Sequence, residues 1–218
     1  MLRLIKYSKH SAEMNMALDE TLFGAYIGLP ILRLYGWISP RATIGYFQKN
    51  DCNAVRRMTG GLTVNHKNDL SYCFIAGAET WKSIYSEPET FKRLHTALQK
   101  ALAKTGFECS FLPSKQGAAN NMCVETFYEN DLIYKGKKVV GSCSRRRGTK
   151  ILVQGSLHLQ LDDIQKDVFQ SAFASVIARS ESDAAIQVVV KDLTDEELSQ
   201  AAKLAKEKYS SNKWNLKY

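Results

Sequence analysis

Apolar positions alternate or recur at helical spacing along nearly the whole chain, and the two periods mark out its elements. "LRLIKY" alternates and predicts a strand. In "SAEMNMALDETLFGAY", Met14, Leu18 and Leu22 recur at helical spacing, and Ser11 is placed to cap that helix. "ILRLYGW" and "RATIGYF" predict strands broken at Ser39-Pro40. Two short strands are expected around Gly60-Gly61, then "DLSYCFIA". A helix begins near Ser86, with Glu89 three residues on in a capping-box pattern, and "FKRLHTALQKALAKTG" keeps its apolar period to Gly106.

The second half continues in the same way. "FECSF" predicts a strand, "LPSKQGAANNM" a polar loop, and "DLIYKGKKVVGS" a hairpin turning at Lys135-Gly136. "KILVQGSLHLQL" alternates as a strand, "DIQKDVFQSAFASVI" predicts a helix, and "AIQVVVKDL" a strand. "TDEELSQAAKLAKEKY" opens on Thr194 and Glu197, a second capping box. No repeat or low-complexity segment interrupts the pattern. The expected class is α+β, mostly antiparallel strands with helices packed on them.

Composition narrows the class of protein. The chain has 218 residues, 44% of them hydrophobic, enough for the core of one domain spanning 1–218. No apolar run reaches the ~18 residues of a membrane span, and "MLRLIKYSKHSAEM" lacks the pattern of a signal peptide. A cytosolic, membrane-free protein is expected. The five cysteines include no CxxC and predict reduced thiols rather than staples or metal ligands. Net charge is +8, and "YKGKKVVGSCSRRRGTK" holds seven basic residues in a stretch without acids. That run is either a solvated face or a surface for an acidic partner. A nucleic-acid module is the non-enzymatic alternative. The run lacks interleaved aromatics, and no RNA- or DNA-binding motif accompanies it.

Two constellations could carry chemistry. "VRRMTGGLTVNH" places Arg56 and Arg57 before a Thr59-Gly60-Gly61 turn. It fits neither the P-loop nor the dinucleotide fingerprint. Glycine amides and arginines could nevertheless approach an anion, and a plain hairpin turn explains the glycines equally well. His66 follows close enough to face the same pocket. In the second constellation, Cys123 precedes Lys138 by fifteen residues. A nearby cation turns a thiol into a nucleophile and can polarise an acyl carbonyl, while a buried structural cysteine is the plainer reading.

"RRMTGGLTVNH", "NDLIYKGKKVVGS" and "ILVQGSL", in this order, resemble the lipoate/octanoate attachment family. This family of lipoate-protein ligases and octanoyltransferases shares a fold with biotin-protein ligases. "YGWISPRATIGYFQ" and the final "YSSNKWN" extend the resemblance over most of the chain. The resemblance implies that Arg57, Thr59, Gly60, Gly61, Leu62, Thr63, Val64, Asn65 and His66 line an acyl or acyl-adenylate pocket. It implies that Lys138 contacts the acyl carbonyl, and that Val140, Gly141, Ser142, Gly155 and Ser156 complete the wall, with Leu157 beside the acyl groove. Backbone amides near Gly141 and Gly155 would stabilise the oxyanion.

Two branches of the family make different demands. An octanoyltransferase of the Gram-positive type would carry the acyl group as a thioester on Cys123 and need no cofactor or metal. Its donor would be acyl carrier protein or another octanoyl/lipoyl carrier. Its acceptor would be the lysine of a lipoyl domain, in H protein or a 2-oxoacid dehydrogenase E2. An ATP-dependent lipoate-protein ligase would need ATP and Mg2+, with Asp131 near the metal. The resemblance implies a monomeric catalytic domain without the C-terminal accessory domain of typical ligases, although some ligases encode that part separately. The sequence departs from the family at Leu62, at Gln154 where a histidine is usual, and at Cys143 where an alanine is usual.

Overall fold

A computed structural model describes residues 1–112, 126, 128–179 and 187–218. The chain opens with β1 (Leu2–His10), α1 (Ala12–Gly24) and β2 (Ile31–Trp37). It continues through β3 (Arg41–Ile44), β4 (Val55–Arg56), β5 (Val64–His66) and β6 (Leu70–Gly77) to α2 (Glu87–Ala103). Then come β7 (Ser110–Phe111), β8 (Leu132–Tyr134), β9 (Lys137–Arg147), β10 (Lys150–Leu157) and α3 (Asp163–Arg179). Strand β11 (Val188–Val190) and helices α4 (Asp195–Leu204) and α5 (Asn212–Asn215) end it.

One sheet holds eight of the strands, in the order β11-β1-β2-β6-β10-β9-β8-β7. The β1–β2 and β1–β11 pairs are parallel, because α1 returns the chain between β1 and β2; the other pairs are antiparallel. Alternation gives the sheet two apolar faces. Phe74, Val140, Val153 and Leu157 pack with Leu94, Leu98, Phe169 and Phe173 of α2 and α3. Cys73, Ile75 and Leu152 pack with Met16, Leu18 and Leu22 of α1 on the other side. The mixed α+β class with a mostly antiparallel sheet is therefore what the chain adopts.

The local signals account for the caps and the hairpin. Ser11 accepts from the Met14 N–H, and Thr194 and Glu197 form a complete capping box. At Ser86 only half of the expected box forms. Ser86 accepts from the Glu89 N–H, while the Glu89 carboxylate binds Arg93 at 3.0 Å. Lys135 and Gly136 have φ of 49° and 75°, the left-handed pair of a two-residue hairpin turn between β8 and β9.

The Gly60-Gly61 turn is not a hairpin. Strands β4 and β5 flank β3 on opposite sides, β4 parallel and β5 antiparallel, and form a separate three-stranded sheet. The strand expected over "RATIGYF" stops at Ile44, because Gly45 packs against the other glycine turn. A Cβ on Gly45 would stand 1.9 Å from the Gly61 carbonyl oxygen. The strand expected in "FECSF" is confined to Ser110–Phe111.

A buried ion pair joins α1 to the sheet. Arg33 and Asp19, both fully buried, meet at 2.8 Å. Asn15 takes a second Arg33 N–H at 2.6 Å, and the Tyr35 hydroxyl donates to Asp19 at 3.0 Å. Replacing Arg33 by Met leaves the Asp19 carboxylate buried without its cation. The expected loss is about 3–5 kcal/mol of unfolding free energy in urea titrations. The Asp19→Leu/Arg33→Met double variant should lose less than the single one.

Candidate active site

Strand β8 pairs with β9 only as far as Val140, and beyond it β9 has β10 alone as a described partner. A cavity of about 460 Å³ lies along this part of β9 and is lined by residues of both its faces. Ser142 and Ser144 face α2 while Cys143 faces the opposite side, yet all three line the cavity. Its volume lies within the roughly 300–1,000 Å³ of small-ligand sites.

One wall is the glycine turn, and its shape is held by arginines. Arg57 donates to the Thr43 hydroxyl at 2.8 Å and to the Gly60 and Leu62 carbonyls at 3.0 and 2.9 Å. Arg56 donates to the carbonyls of Gly45, Tyr46, Gln48, Trp214 and Asn215. The expectation that both bring charge to an anion meets a physical obstacle: their guanidinium nitrogens serve backbone carbonyls and a hydroxyl, apart from Arg57 Nε, which is buried without a hydrogen-bond partner among the described residues. They hold the turn and dock the C-terminal segment.

Next to this turn, His66 stacks on Trp37 with ring centroids 3.7 Å apart. Its Nδ1 lies 2.7 Å from Asp69, which also accepts from Ser156 at 3.0 Å and Ser71 at 3.2 Å. Burial lowers the pKa of His66 against the pull of Asp69. Burial alone would raise the Asp69 carboxyl, but its partners, His66 first, bring it below the usual range.

The opposite wall carries the cation. Lys138 Nζ pairs with Asp131 at 2.6 Å and donates to the Thr126 carbonyl at 2.8 Å, with almost no solvent contact. Burial raises the Asp131 carboxyl, while Lys138 and the Tyr128 N–H pull it back. Beside them, His95 Nδ1 bonds the Asn130 carbonyl and Nε2 lies 2.6 Å from the Ser142 hydroxyl. Ser142 lies 2.5 Å from the Tyr72 hydroxyl. Burial lowers the pKa of His95 to about 4, against the raising effect of the Asn130 carbonyl, and the charge of Lys138 lowers it further.

The departures at Gln154 and Cys143 belong to one network. Gln154 donates to Asp19 at 2.7 Å and accepts from Thr59 at 2.7 Å. Thr59 lies 3.1 Å from the Cys143 sulfur. The buried ion pair is thereby connected to a thiol on the cavity wall.

Of the residues singled out from sequence, Arg57, Gly60, Gly61, Leu62, Val64 and His66 line the cavity, and so do Asp131, Lys138, Gly141, Ser142, Gly155 and Ser156. Thr59 is buried behind the wall, Thr63 reaches Gln48, and Asn65 is exposed. Val140 and Leu157 belong to the core under α2 and α3, not to an acyl groove. They stand opposite each other across β9 and β10, so their side chains share that face. The proposed oxyanion role for the Gly155 amide fails for a related reason. Strand β10 has partners on both edges, and its N–H groups belong to the ladders. Cys123 lies outside the described residues. Among the described residues no three His, Cys, Asp or Glu side chains converge as a metal site, and no helix is long and apolar enough to cross a membrane.

Sequence reasoning missed His95, Tyr72 and Asp69. His95 had a signal: it interrupts the apolar stripe of Phe91, Leu94, Leu98 and Leu102 on α2. Tyr72 and Asp69 had none, since their roles depend on strands far away in sequence.

The family described as "Lipoyl protein ligase A/B catalytic domain" matches residues 11–206. The chain belongs to this family. Octanoyltransferase LipM of Oceanobacillus iheyensis is 33% identical over 76% of the chain and 67% of its own length. LipM of Carboxydothermus hydrogenoformans is 31% identical over 73% of the chain, and the match spans 65% of that relative, just under two thirds. Among solved structures, protein Ta0514 of T. acidophilum with bound lipoic acid superposes with a TM-score of 0.75. It is 21% identical, with 99% of each chain covered. Lipoate-protein ligase A bound with ATP gives 0.71 at 21% identity, over 99% of this chain and 98% of that one. These two likenesses establish the shared lipoyl protein ligase fold.

The pKa of His95 has a stability consequence. In the unfolded chain this histidine titrates near 6.5, and in the folded chain at about 4. As pH falls, the unfolded chain takes up the proton first. The stabilising contribution is thus complete above pH 6.5 and lost as pH falls to 4, by about 3 kcal/mol at roughly 1.4 kcal/mol per unit. Urea titrations at pH 7 and pH 4 should show the gap between the wild-type chain and His95→Gln narrowing by that amount.

Proposed function

We propose that the chain is an octanoyltransferase that moves a medium-chain acyl group from an acyl carrier protein, or another octanoyl or lipoyl carrier, to the lysine of a lipoyl domain. The observation that carries this reading is Lys138. An ammonium has three N–H donors, and Asp131 and the Thr126 carbonyl engage two of them. No hydrogen-bond acceptor among the described residues takes the third, which is available to an acyl carbonyl oxygen in a cavity whose walls include Trp37, Val64 and Phe91. The similarity to LipM proteins over most of the chain supports the same reading.

Chemically, the Cys123 thiolate attacks the carrier thioester, the C–S bond to the carrier breaks, and the acyl group rests on Cys123. The acceptor amine then displaces the thiol and forms the amide, while Lys138 supports the negative oxygen in both tetrahedral states. The ligase alternative asks this site to hold a triphosphate and Mg2+. Asp131 is bound by Lys138 at 2.6 Å, so a metal there would have to compete with the ammonium. The guanidinium groups of Arg56 and Arg57 are engaged within the chain. A reaction without a nucleotide makes neither demand.

Octanoyl-carrier protein without ATP should leave an octanoyl adduct on Cys123 in intact-mass spectra and acylate a lipoyl domain. Cys123→Ala should abolish the transfer. Lys138→Ala should lower kcat/KM on the order of 10²–10³-fold. Transfer that needs ATP, releases pyrophosphate and survives Cys123→Ala would instead identify a ligase.

The exposed Lys135, Lys137 and Arg146 lie on β9 or the turn before it. They favour encounter with acidic carrier and acceptor domains. Stopped-flow association should therefore slow as ionic strength rises from about 0.01 to 0.15 M, where the screening length shortens from roughly 30 to 8 Å.

A further inference from the structure

We propose that Ser142, with His95 as its base, is a second nucleophile in this cavity and can itself accept an acyl group. The direction of the hydrogen bonds follows from donor and acceptor chemistry. The Asn130 carbonyl can only accept, so His95 Nδ1 carries the ring proton. The buried ring is neutral, which leaves Nε2 as a lone pair. The Ser142 hydroxyl at 2.6 Å must therefore donate to it. Tyr72, at 2.5 Å, donates in turn to Ser142. The chain runs Tyr72 to Ser142 to His95 to Asn130, with the serine proton already on the line to a base that a third group orients. This is the arrangement an activated serine requires.

The backbone is built around this arrangement. Asn130 has φ of 72°, a left-handed conformation uncommon outside glycine, and it supplies the carbonyl that His95 needs. Tyr72, Gly155 and Ser142 stand in one row across β6, β10 and β9. A Cβ on Gly155 would lie 2.3 Å from the Tyr72 ring. The tyrosine can reach over β10 to Ser142 because that position has no side chain. Both Ser142 and His95 line the cavity.

The step balances without a co-reactant. Ser142 Oγ adds to the carbonyl carbon of an activated acyl donor as its proton passes to His95 Nε2. The bond to the leaving group breaks, the leaving group takes that proton, and an ester remains on Ser142. Water then attacks the ester and gives its proton to His95, which passes it to Ser142 Oγ as the acyl group departs as the carboxylic acid.

The choice of a medium-chain acyl group rests on the proposed function; the serine chemistry does not. The test uses octyl fluorophosphonate on the full chain, without carrier protein or ATP, so it is independent of carrier-dependent acylation at Cys123. One adduct should map to Ser142 by peptide mass spectrometry and form in Cys123→Ala as well. Ser142→Ala should remove it, and His95→Gln should slow it on the order of 10²–10⁴-fold. Because His95 titrates at about 4, the labelling rate should stay level from pH 8 to about pH 5.5. In Cys123→Ala, an octanoyl thioester should leave an adduct that resists neutral hydroxylamine, as an oxygen ester does and a thioester does not. No adduct on the cooperatively folded wild-type chain, an adduct elsewhere, or labelling of His95→Gln at the wild-type rate would each overturn the proposal. Should His95→Gln fail to fold, the wild-type map and pH profile decide it.

Discussion

Tyr72, Gly155 and Ser142 face one another across β6, β10 and β9, and this three-strand register positions most of the cavity. Its period of two divides the site's chemistry between the faces of the sheet. On the α2 side stand Tyr72 and Ser142. On the α1 side stand Gln154 and Cys143, with Ser71 and Ser156 farther along. A slip of one residue in β10 would exchange Gln154 for Gly155, put a side chain under Tyr72 and remove the partner of Asp19. The apolar residues enforce the register, since the same slip would move Val153 and Leu152 into the wrong cores.

The buried Asp19–Arg33 pair supplies a second constraint. Burying two charges costs several kcal/mol each, and pairing recovers much of that only when the remaining polar atoms are also served. Here Asn15, Tyr35 and Gln154 serve them, apart from Arg33 Nε, which has no hydrogen-bond partner among the described residues. Gln154 therefore has little freedom, and through Thr59 it fixes the surroundings of Cys143. An amide at this position donates to Asp19 and accepts from Thr59 at once, so Gln154 has a structural task of its own.

Much of the fold was legible because its signals are local. Ser11 and Thr194 cap helices as their neighbours imply, and Lys135-Gly136 turns the hairpin their type allows. The motifs that marked the family also fall largely on the cavity wall. What could not be read depended on partners distant in sequence. Arg56 and Arg57 look like anion ligands beside two glycines; only the folded chain shows that Arg56 donates to carbonyls of the Gly45 turn and the C-terminal segment, and Arg57 to Thr43 and to the carbonyls of Gly60 and Leu62. Val140 alternates like a pocket residue and shares a face with Ser142, but it stands where β8 still pairs with β9 and is packed into the core. Asn65 differs from Val64 and His66 only in pleat, and its exposure follows from the pairing of β5 with β3.

Among the described residues β9 has no partner on its β8 edge beyond Val140, which lets one cavity bring several kinds of reactive group together. A fully paired strand would separate its two faces, leaving Ser142 and Cys143 in different compartments. Since the pairing of β8 with β9 ends at Val140, both side chains reach the cavity. Burial then sets the character of the groups inside: His66 and His95 are pushed toward their neutral forms, and the Lys138 cation is held against Asp131. Neutral imidazoles accept protons, and a lysine fixed by two partners can present its third N–H without rearranging. A site with these properties suits acyl transfer between neutral nucleophiles, because the negative charge that develops on the acyl oxygen meets a donor already oriented by the fold.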